Sequence, residues 1–196
     1  MPKFICISGK ARHGKDTTAA MIAEHFEKRG KSVLITHFAD LLKYICKTFF
    51  AWDGDKNDHG RTLLQYVGTD CVRSYNPDFW VNFVTSIATV FPSEWDYVIV
   101  PDTRFKNELT RIKELFPATH IRVERLEFDN GLTEEQKGHQ SEIELVDELP
   151  DIMLYNESLE QLWDETEKIC EDLLRKEDQV PYQLTIFDNV PPADGA

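Results

Sequence analysis

The chain has 196 residues, of which 41% are hydrophobic and 29% are charged, and this composition predicts one globular domain. Its 35 acidic and 22 basic residues give a net charge of −13, which argues against direct binding to nucleic acid or to an anionic membrane. No apolar run is long enough for a transmembrane helix or a secretory leader, and the four cysteines show no metal-binding spacing. We therefore expect a cytoplasmic protein with reduced thiols.

Hydrophobic patterning predicts alternating strands and helices along most of the chain. Predicted strands cover residues 4–7, 32–37, 96–100, 118–124 and 152–155, and predicted helices cover residues 14–28, 40–50, 61–73, 77–90, 107–116 and 159–174. Asp40 is the predicted N-cap of the second helix. Residues 53–60 and 126–138 are polar and are predicted to be loops. The alternation indicates an α/β protein with a five-stranded parallel sheet and helices on both faces.

A glycine-rich loop lies between the first predicted strand and the first predicted helix, and it has the pattern G-x-x-x-x-G-K. The glycines let backbone N–H groups point at phosphate oxygens, and the helix N-terminus adds partial positive charge. Lys15 is expected to bridge the β- and γ-phosphates, and Thr17 is the predicted hydroxyl near Mg²⁺ because Asp16 stands where a Ser or Thr ligand is usual. The alternative is a glycine turn that binds nothing. The residues predicted to bind ATP are Gly9, Lys10, Ala11, Arg12, His13, Gly14, Lys15, Asp16, Thr17 and Thr18.

An acidic residue, Asp102, directly follows the buried strand predicted at residues 96–100. Parallel sheets bind ligands at the carboxyl ends of their strands, so Asp102 is predicted to hold Mg²⁺, partly through water. The alternative is that it caps a helix beginning near Arg104. The guanidinium of Arg104 is suited to bidentate phosphate binding.

Three blocks of sequence are informative as a set because of their order and spacing along the chain. They are residues 8–19, with the phosphate loop; residues 64–81, with a Gly-Thr-Asp triplet followed by Arg73 and Trp80; and residues 96–104, ending in Asp-Thr-Arg. Together they resemble the phage-type deoxynucleoside monophosphate kinases, over about residues 4–145. An Asp after the loop lysine is usual in that family. If a phage encodes the chain, its location would be the host cytoplasm.

The resemblance implies a three-layer P-loop nucleoside triphosphatase fold of the nucleoside monophosphate kinase type, with a small lid. It places the kinase domain at residues 1–175, with an acceptor-binding helical region at about 38–92 and the lid at about 125–140. Residues 176–196 are predicted to form a flexible acidic tail. The implied reaction transfers the γ-phosphoryl group of ATP, with Mg²⁺, to a small-molecule (deoxy)nucleoside monophosphate.

Such a reaction needs cations more than it needs a base, because the acceptor phosphate is already nucleophilic. By resemblance, Arg73 clamps the acceptor phosphate, Arg104 serves the acceptor or the transferring group, and Arg125 begins the lid. With Lys15 these arginines are the predicted catalytic residues, and a solvated surface charge is the alternative for each.

The predicted acceptor site combines charged side chains with aromatic side chains that can stack on a base. For each aromatic residue the alternative is a place in the core. The residues predicted to bind the acceptor are Phe38, Asp40, Lys43, Tyr66, Asp70, Arg73, Trp80, Arg104 and His139.

The predicted tail contains an apolar cluster formed by Gln183, Leu184, Ile186 and Phe187. It is similar to the pentapeptide with which bacterial proteins dock on the sliding clamp of the replication machinery. The alternative is that it packs on its own domain or on a second subunit, as in a homodimer.

Two other functions compete with the nucleoside monophosphate kinase. A phosphomevalonate-type kinase shares the Gly-Lys-Asp loop but has no use for aromatic residues that stack on a base. A nucleotide-binding switch or ATPase would also carry a phosphate loop, although the sequence lacks an Asn-Lys-x-Asp motif for guanine. The base and the sugar of the acceptor are not determined by the sequence.

Overall fold

A computed structural model describes residues 1–55, 57–133 and 137–179. Five strands form one sheet: β1 (Lys3–Ser8), β2 (Val33–Ile35), β3 (Tyr97–Val100), β4 (Ala118–Glu124) and β5 (Ile152–Tyr155). All neighbouring strands are parallel, in the order β2-β3-β1-β4-β5, so β1 lies at the centre. The predicted α/β architecture with five parallel strands is confirmed.

The described part of the chain also contains seven α-helices and one π-helix; the last α-helix follows β5. The α-helices are α1 (Lys15–Glu27), α2 (Phe38–Phe49), α3 (Asp58–Gln65), α4 (Phe79–Val90), α5 (Lys106–Leu115), α6 (Gln140–Ile143) and α7 (Leu159–Gln179). The π-helix (Tyr66–Arg73) continues directly from α3.

Alternate side chains of β1 build two cores, one on each face of the sheet. Ile5 and Ile7 pack with Ile22 of α1 and Leu162 of α7. Phe4 and Cys6 pack on the opposite face, in a cluster that includes residues of α4 and α5. Each fully buried side chain of this size contributes roughly 2–3 kcal/mol, so the central strand is held rigidly at the base of the loop that follows it.

The start of α2 differs from the prediction, because His37 and not Asp40 is the N-cap. The Asp102 carboxylate accepts the N–H groups of Phe38 (2.9 Å) and Ala39 (3.0 Å), which lets the helix begin two residues before Asp40. Asp40 lies in the first turn and accepts the backbone N–H of His37 at 2.9 Å. Asp102 therefore does act as a cap, but of α2 and not of the helix near Arg104.

Residues 58–73 also differ from the sequence prediction. Helix α3 begins within the predicted loop, where the Asn57 side chain accepts the N–H of Gly60 at 2.9 Å. The following turns are a π-helix, which α-helical periodicity does not reveal. Helix α6 lies beyond the predicted lid loop and was not predicted.

The last helix extends beyond its predicted end at residue 174 and includes the first residues assigned to the tail. Glu177 forms ion pairs with Lys3 and Lys31 and accepts a hydrogen bond from the Tyr97 hydroxyl, which ties this turn to the sheet. Residues 180–196, including the motif from Gln183 to Phe187, lie outside the described residues. Within the described ranges, no helix has both the length and the apolar character needed to cross a membrane.

Candidate active site

The loop between β1 and α1 has a conformation that requires its two glycines. Gly9 has φ 142°, and a Cβ atom added there would lie 2.3 Å from the carbonyl oxygen of Val123 on β4. Gly14 has φ 97° and abuts Asn156, whose side-chain amide donates to the His13 carbonyl at 2.9 Å. The loop therefore lies directly against the carboxyl end of the sheet, where the glycines allow close packing.

Lys15 is folded back into this loop. Its Nζ atom donates to the carbonyl oxygens of Gly9 (2.7 Å) and Lys10 (2.8 Å), and the residue is only 8% exposed. Burial, and next the charge of Arg104, lowers the pKa of the Lys15 ammonium to about 8. A phosphate in the loop would relieve both effects, because an anion offsets the cost of burying and crowding positive charge.

His13 and Arg125 connect the loop to the segment predicted to be the lid. The buried His13 ring accepts the backbone N–H of Arg125 at its Nδ1 atom, at 3.1 Å. Burial, followed by the charges of Lys15 and Lys10, lowers the pKa of His13, which keeps the ring a neutral acceptor. The Arg125 guanidinium stacks 4.0 Å from the centroid of Phe128. These residues line a cavity of about 680 Å³ on the β4 side of the loop.

A second cleft, of about 300 Å³, lies on the α2 side of the loop. We call it the acceptor cleft. Its walls come from α2, the π-helix, the turn after β3 and the segment around α6, so residues far apart in sequence meet there. The residues predicted to bind the acceptor that line it are Phe38, Lys43, Arg73, Trp80, Arg104 and His139. Its volume is at the lower end of the range for small-molecule sites.

Arg73 is held from two sides in the acceptor cleft. Its guanidinium pairs with the Glu108 carboxylate and stacks 3.9 Å from the centroid of the Phe105 ring. Glu108 also accepts the backbone N–H groups of Arg104 (2.8 Å) and Phe105 (3.0 Å). Burial raises the pKa of Glu108 to about 7, despite the opposing effect of Arg73. The buried Glu108 carboxyl group therefore contacts two residues predicted to bind phosphate: the side chain of Arg73 and the backbone of Arg104.

Arg104 lies between the acceptor cleft and the phosphate loop. It pairs with Glu142 of α6, whose other carboxylate oxygen accepts the N–H of Ala11 at 3.0 Å. A further cavity of about 220 Å³ opens here, lined by Gly9, Arg104 and Glu142 among others, and we call it the loop cavity. The phosphate loop and the acceptor cleft thus meet at the ion pair between Arg104 and Glu142.

Three residues predicted to bind the acceptor lie outside the cleft. Tyr66 and Asp70 are exposed, because each follows a cleft residue, Gln65 or Thr69, by one position and is rotated to the outer side of the π-helix. Asp40 forms an ion pair with Lys43 at 2.9 Å and contacts the His37 ring at 3.2 Å. The His37 ring also contacts Asp16 at 2.9 Å, so a chain of polar contacts joins the loop to α2.

The family was identified by comparison with known proteins. Residues 42–166 match the family model described as deoxynucleotide monophosphate kinase, which is more than half of the chain. The chain belongs to the deoxynucleotide monophosphate kinase family. It is therefore a P-loop kinase that acts on nucleoside monophosphates, and the matched region includes most of the residues that line the acceptor cleft but not the phosphate loop.

One curated relative covers most of the kinase. It is a protein of Acanthamoeba polyphaga mimivirus, provisionally described as a deoxynucleotide monophosphate kinase, with 27% identity over 82% of this chain and 92% of the relative. Among solved structures, APE1195 has 14% identity and a TM-score of 0.50 over 88% of this chain and 97% of that chain. A Mycobacterium tuberculosis APS kinase mutant has 13% identity and a TM-score of 0.48, covering 89% and 97%. At these identities the structural likeness concerns the fold alone.

Several residues of the kinase site were not predicted from the sequence. They are Arg61, Gln65, Thr69, Glu108 and Glu142. The two glutamates carry a weak local signal, since each lies near an element start, where an acidic residue is usually interpreted as a helix cap. Nothing in their neighbourhood indicates the arginines that they contact.

Proposed function

We propose that this kinase transfers the γ-phosphoryl group of ATP to a deoxynucleoside monophosphate, with ATP on the loop between β1 and α1 and the monophosphate in the acceptor cleft. The observation that carries the proposal is the position of Arg104, which borders both the loop cavity and the acceptor cleft. A group bridging two phosphates is what in-line transfer between two anions requires.

The donor side would be formed by residues 9–18. Backbone N–H groups of the loop and the start of α1 would hold the phosphates, and Lys15 would move from the carbonyls of Gly9 and Lys10 to the β- and γ-phosphates. Arg125 and Phe128 form a stacked pair over the adjacent cavity. That pair is suited to cover ATP and to exclude water from the reaction.

The acceptor side would use Arg73 for the monophosphate and the apolar cleft wall for the base. Arg73 lines the cleft, and Glu108 and Phe105 fix its orientation. Trp80 is 3% exposed and donates its indole N–H to the Gly68 carbonyl at 3.1 Å, so its ring lies in one fixed orientation along the cleft wall. Lys43 adds a second cation at the α2 side.

The chemistry assigned to these residues is charge stabilisation without a general base. Two phosphate charges about 4 Å apart repel by roughly 4 kcal/mol at an effective dielectric near 20. Lys15, Arg73 and Arg104 offset that repulsion in a chain that is otherwise strongly acidic. Arg73 is already held in place by Glu108 and Phe105, whereas Lys15 and Arg104 would exchange their present partners for phosphate oxygens when the substrates bind.

Magnesium fits this site through oxygen ligands. Each Asp102 oxygen accepts one backbone N–H and keeps a free lone pair, and Asp102 lines the acceptor cleft at the end of β3. Thr17 is exposed on the first turn of α1. One or two oxygen ligands, completed by water and substrate phosphates, are what Mg²⁺ usually takes from a protein. When bound, the ion would neutralise phosphate charge.

The rival functions predict different acceptors. Phe38 and Trp80 are 4% and 3% exposed and belong to a buried core cluster, so they take the place in the core that was the alternative for each aromatic residue. The match to the deoxynucleotide monophosphate kinase family disfavours a phosphomevalonate-type kinase. An ATPase or switch would not need a second cationic cleft, and this cleft supports a phosphorylated acceptor.

The deciding experiment is a coupled assay of ADP release from Mg-ATP with each common ribo- and deoxynucleoside monophosphate. Release stimulated by one or a few deoxynucleotides is expected. Release that is independent of any monophosphate would favour an ATPase. No release with intact ATP binding would point to a different phosphorylated acceptor, and Lys15→Ala serves as the inactive control.

A further inference from the structure

Glu142 has a position that the proposed mechanism does not explain. Its carboxylate borders the acceptor cleft, the loop cavity and the cavity under Arg125. Its side chain is only 10% exposed. A buried negative charge at the meeting point of two phosphate sites opposes the binding of both substrates unless it moves or is neutralised.

The partners of Glu142 are groups suited to binding a phosphate. One carboxylate oxygen accepts the N–H of Ala11, within the phosphate loop, at 3.0 Å. The other oxygen pairs with the guanidinium of Arg104. An N–H of a glycine-rich loop and an arginine fork are the donors that bind phosphate oxygens in other proteins. The carboxylate therefore occupies two donors that could each bind a phosphate oxygen.

The backbone around Glu142 is anchored, so displacement of its carboxylate would take place by rotation about the side-chain bonds. Glu144 accepts the N–H of Lys106 at 2.8 Å, and the Arg122 guanidinium donates to the carbonyl of Val146 at 3.0 Å and to those of Leu145 and Glu148. A change of side-chain torsion alone would free both the Ala11 amide and Arg104. No movement of the anchored segment is needed.

We propose that Glu142 takes the place of a phosphate in the nucleotide-free enzyme and is displaced when ATP binds. Its two partners, the Ala11 amide and Arg104, then pass to phosphate oxygens. Glu142 thus positions Arg104 above the loop before the nucleotide binds and releases it to the phosphate. This inference rests on the proposed function only in assuming that ATP occupies the loop.

The test measures the Kd for Mg-ATP by calorimetry, without acceptor and at fixed salt, in the wild type and in Glu142→Gln. The amide oxygen of glutamine still accepts the Ala11 N–H, but the side chain no longer repels phosphate or binds Arg104 as an ion pair. We expect ATP to bind about tenfold more tightly, the effect of removing one nearby like charge. The matched control is Glu144→Gln, which removes the same charge two residues away and should leave the Kd unchanged.

The possible outcomes separate this inference from the proposed function. An unchanged or weaker ATP affinity in Glu142→Gln would overturn the role of Glu142. An unchanged ATP affinity in Lys15→Ala would instead show that ATP does not bind in the loop, which would overturn the proposed function. A second measurement covers the case in which Glu142→Gln folds poorly. In the nucleotide-free wild type, NMR should show slow hydrogen exchange at the Ala11 amide, and fast exchange there would contradict the contact.

Discussion

Glu108→Gln is the substitution with the most informative effect on stability. Glu108 is 1% exposed, and burial raises its pKa from an ordinary 4.5 to about 7. A glutamine keeps an oxygen that can accept the N–H groups of Arg104 and Phe105, but it cannot titrate. The variant therefore removes the pH dependence that Glu108 contributes and retains its helix-capping geometry.

The sign and size of this contribution follow from the two pKa values. Between pH 4.5 and about 7 the folded chain binds a proton at Glu108 that the unfolded chain has released. The free energy of unfolding therefore falls as pH rises through this range, which is the reverse of the usual behaviour of a carboxyl group. At about 1.4 kcal/mol for each pH unit, the total loss is about 3 kcal/mol.

Urea unfolding of the wild type and Glu108→Gln, at steps from about pH 5 to about pH 8, measures this contribution as the difference between the two curves. The wild type should lose stability relative to the variant as pH rises. Glu114→Gln, an exposed change at the other end of α5, should run parallel to the wild type. If the stability of Glu108→Gln runs parallel to that of the wild type across this pH range, burial does not raise the pKa of Glu108.

Three further substitutions test the site and the sheet. Lys15→Ala should lower kcat at least about a hundredfold, since it removes a positive charge that would stabilise the transferring group; ADP release measures this. Arg73→Ala should raise the KM for the monophosphate about tenfold or more and leave the ATP Kd unchanged. Burial lowers the pKa of His120 to about 4, so between pH 4 and 6.5 only the unfolded chain is protonated at this residue. The wild type should therefore gain about 3 kcal/mol of stability as pH rises through this range. His120→Gln should abolish this gain, which urea unfolding measures.

The two predictions for Lys15 and Arg73 each have a matched control. Lys28→Ala removes a half-exposed charge just after α1 and should keep full activity. Arg111→Ala removes an arginine that pairs with Asn82 and Glu114, and it should leave both substrate affinities unchanged. A loss of ATP affinity in Arg73→Ala would show that the acceptor cleft has been assigned to the wrong place. If His120→Gln keeps the wild-type dependence of stability on pH, that dependence comes from another group.

The sequence alone determined the class of the fold and the donor loop. Strand and helix periods are properties of neighbouring residues, so the strands at 118–124 and 152–155 were predicted with their observed ends. The glycines of the loop are also a local signal, because positive φ angles at Gly9 and Gly14 demand that residue. The family resemblance, which rests on short ordered motifs, was equally available without a structure.

Only the tertiary structure decided which side chains meet. Asp102 caps α2, 63 and 64 residues earlier in the chain, and so moves the start of that helix away from Asp40. The π-helix turns Tyr66 outward. Glu108 and Glu142 bind arginines 35 and 38 residues away. Partners at such separations are set by the order of the strands in the sheet and by the packing of helices on it, and no local pattern of residue types encodes them.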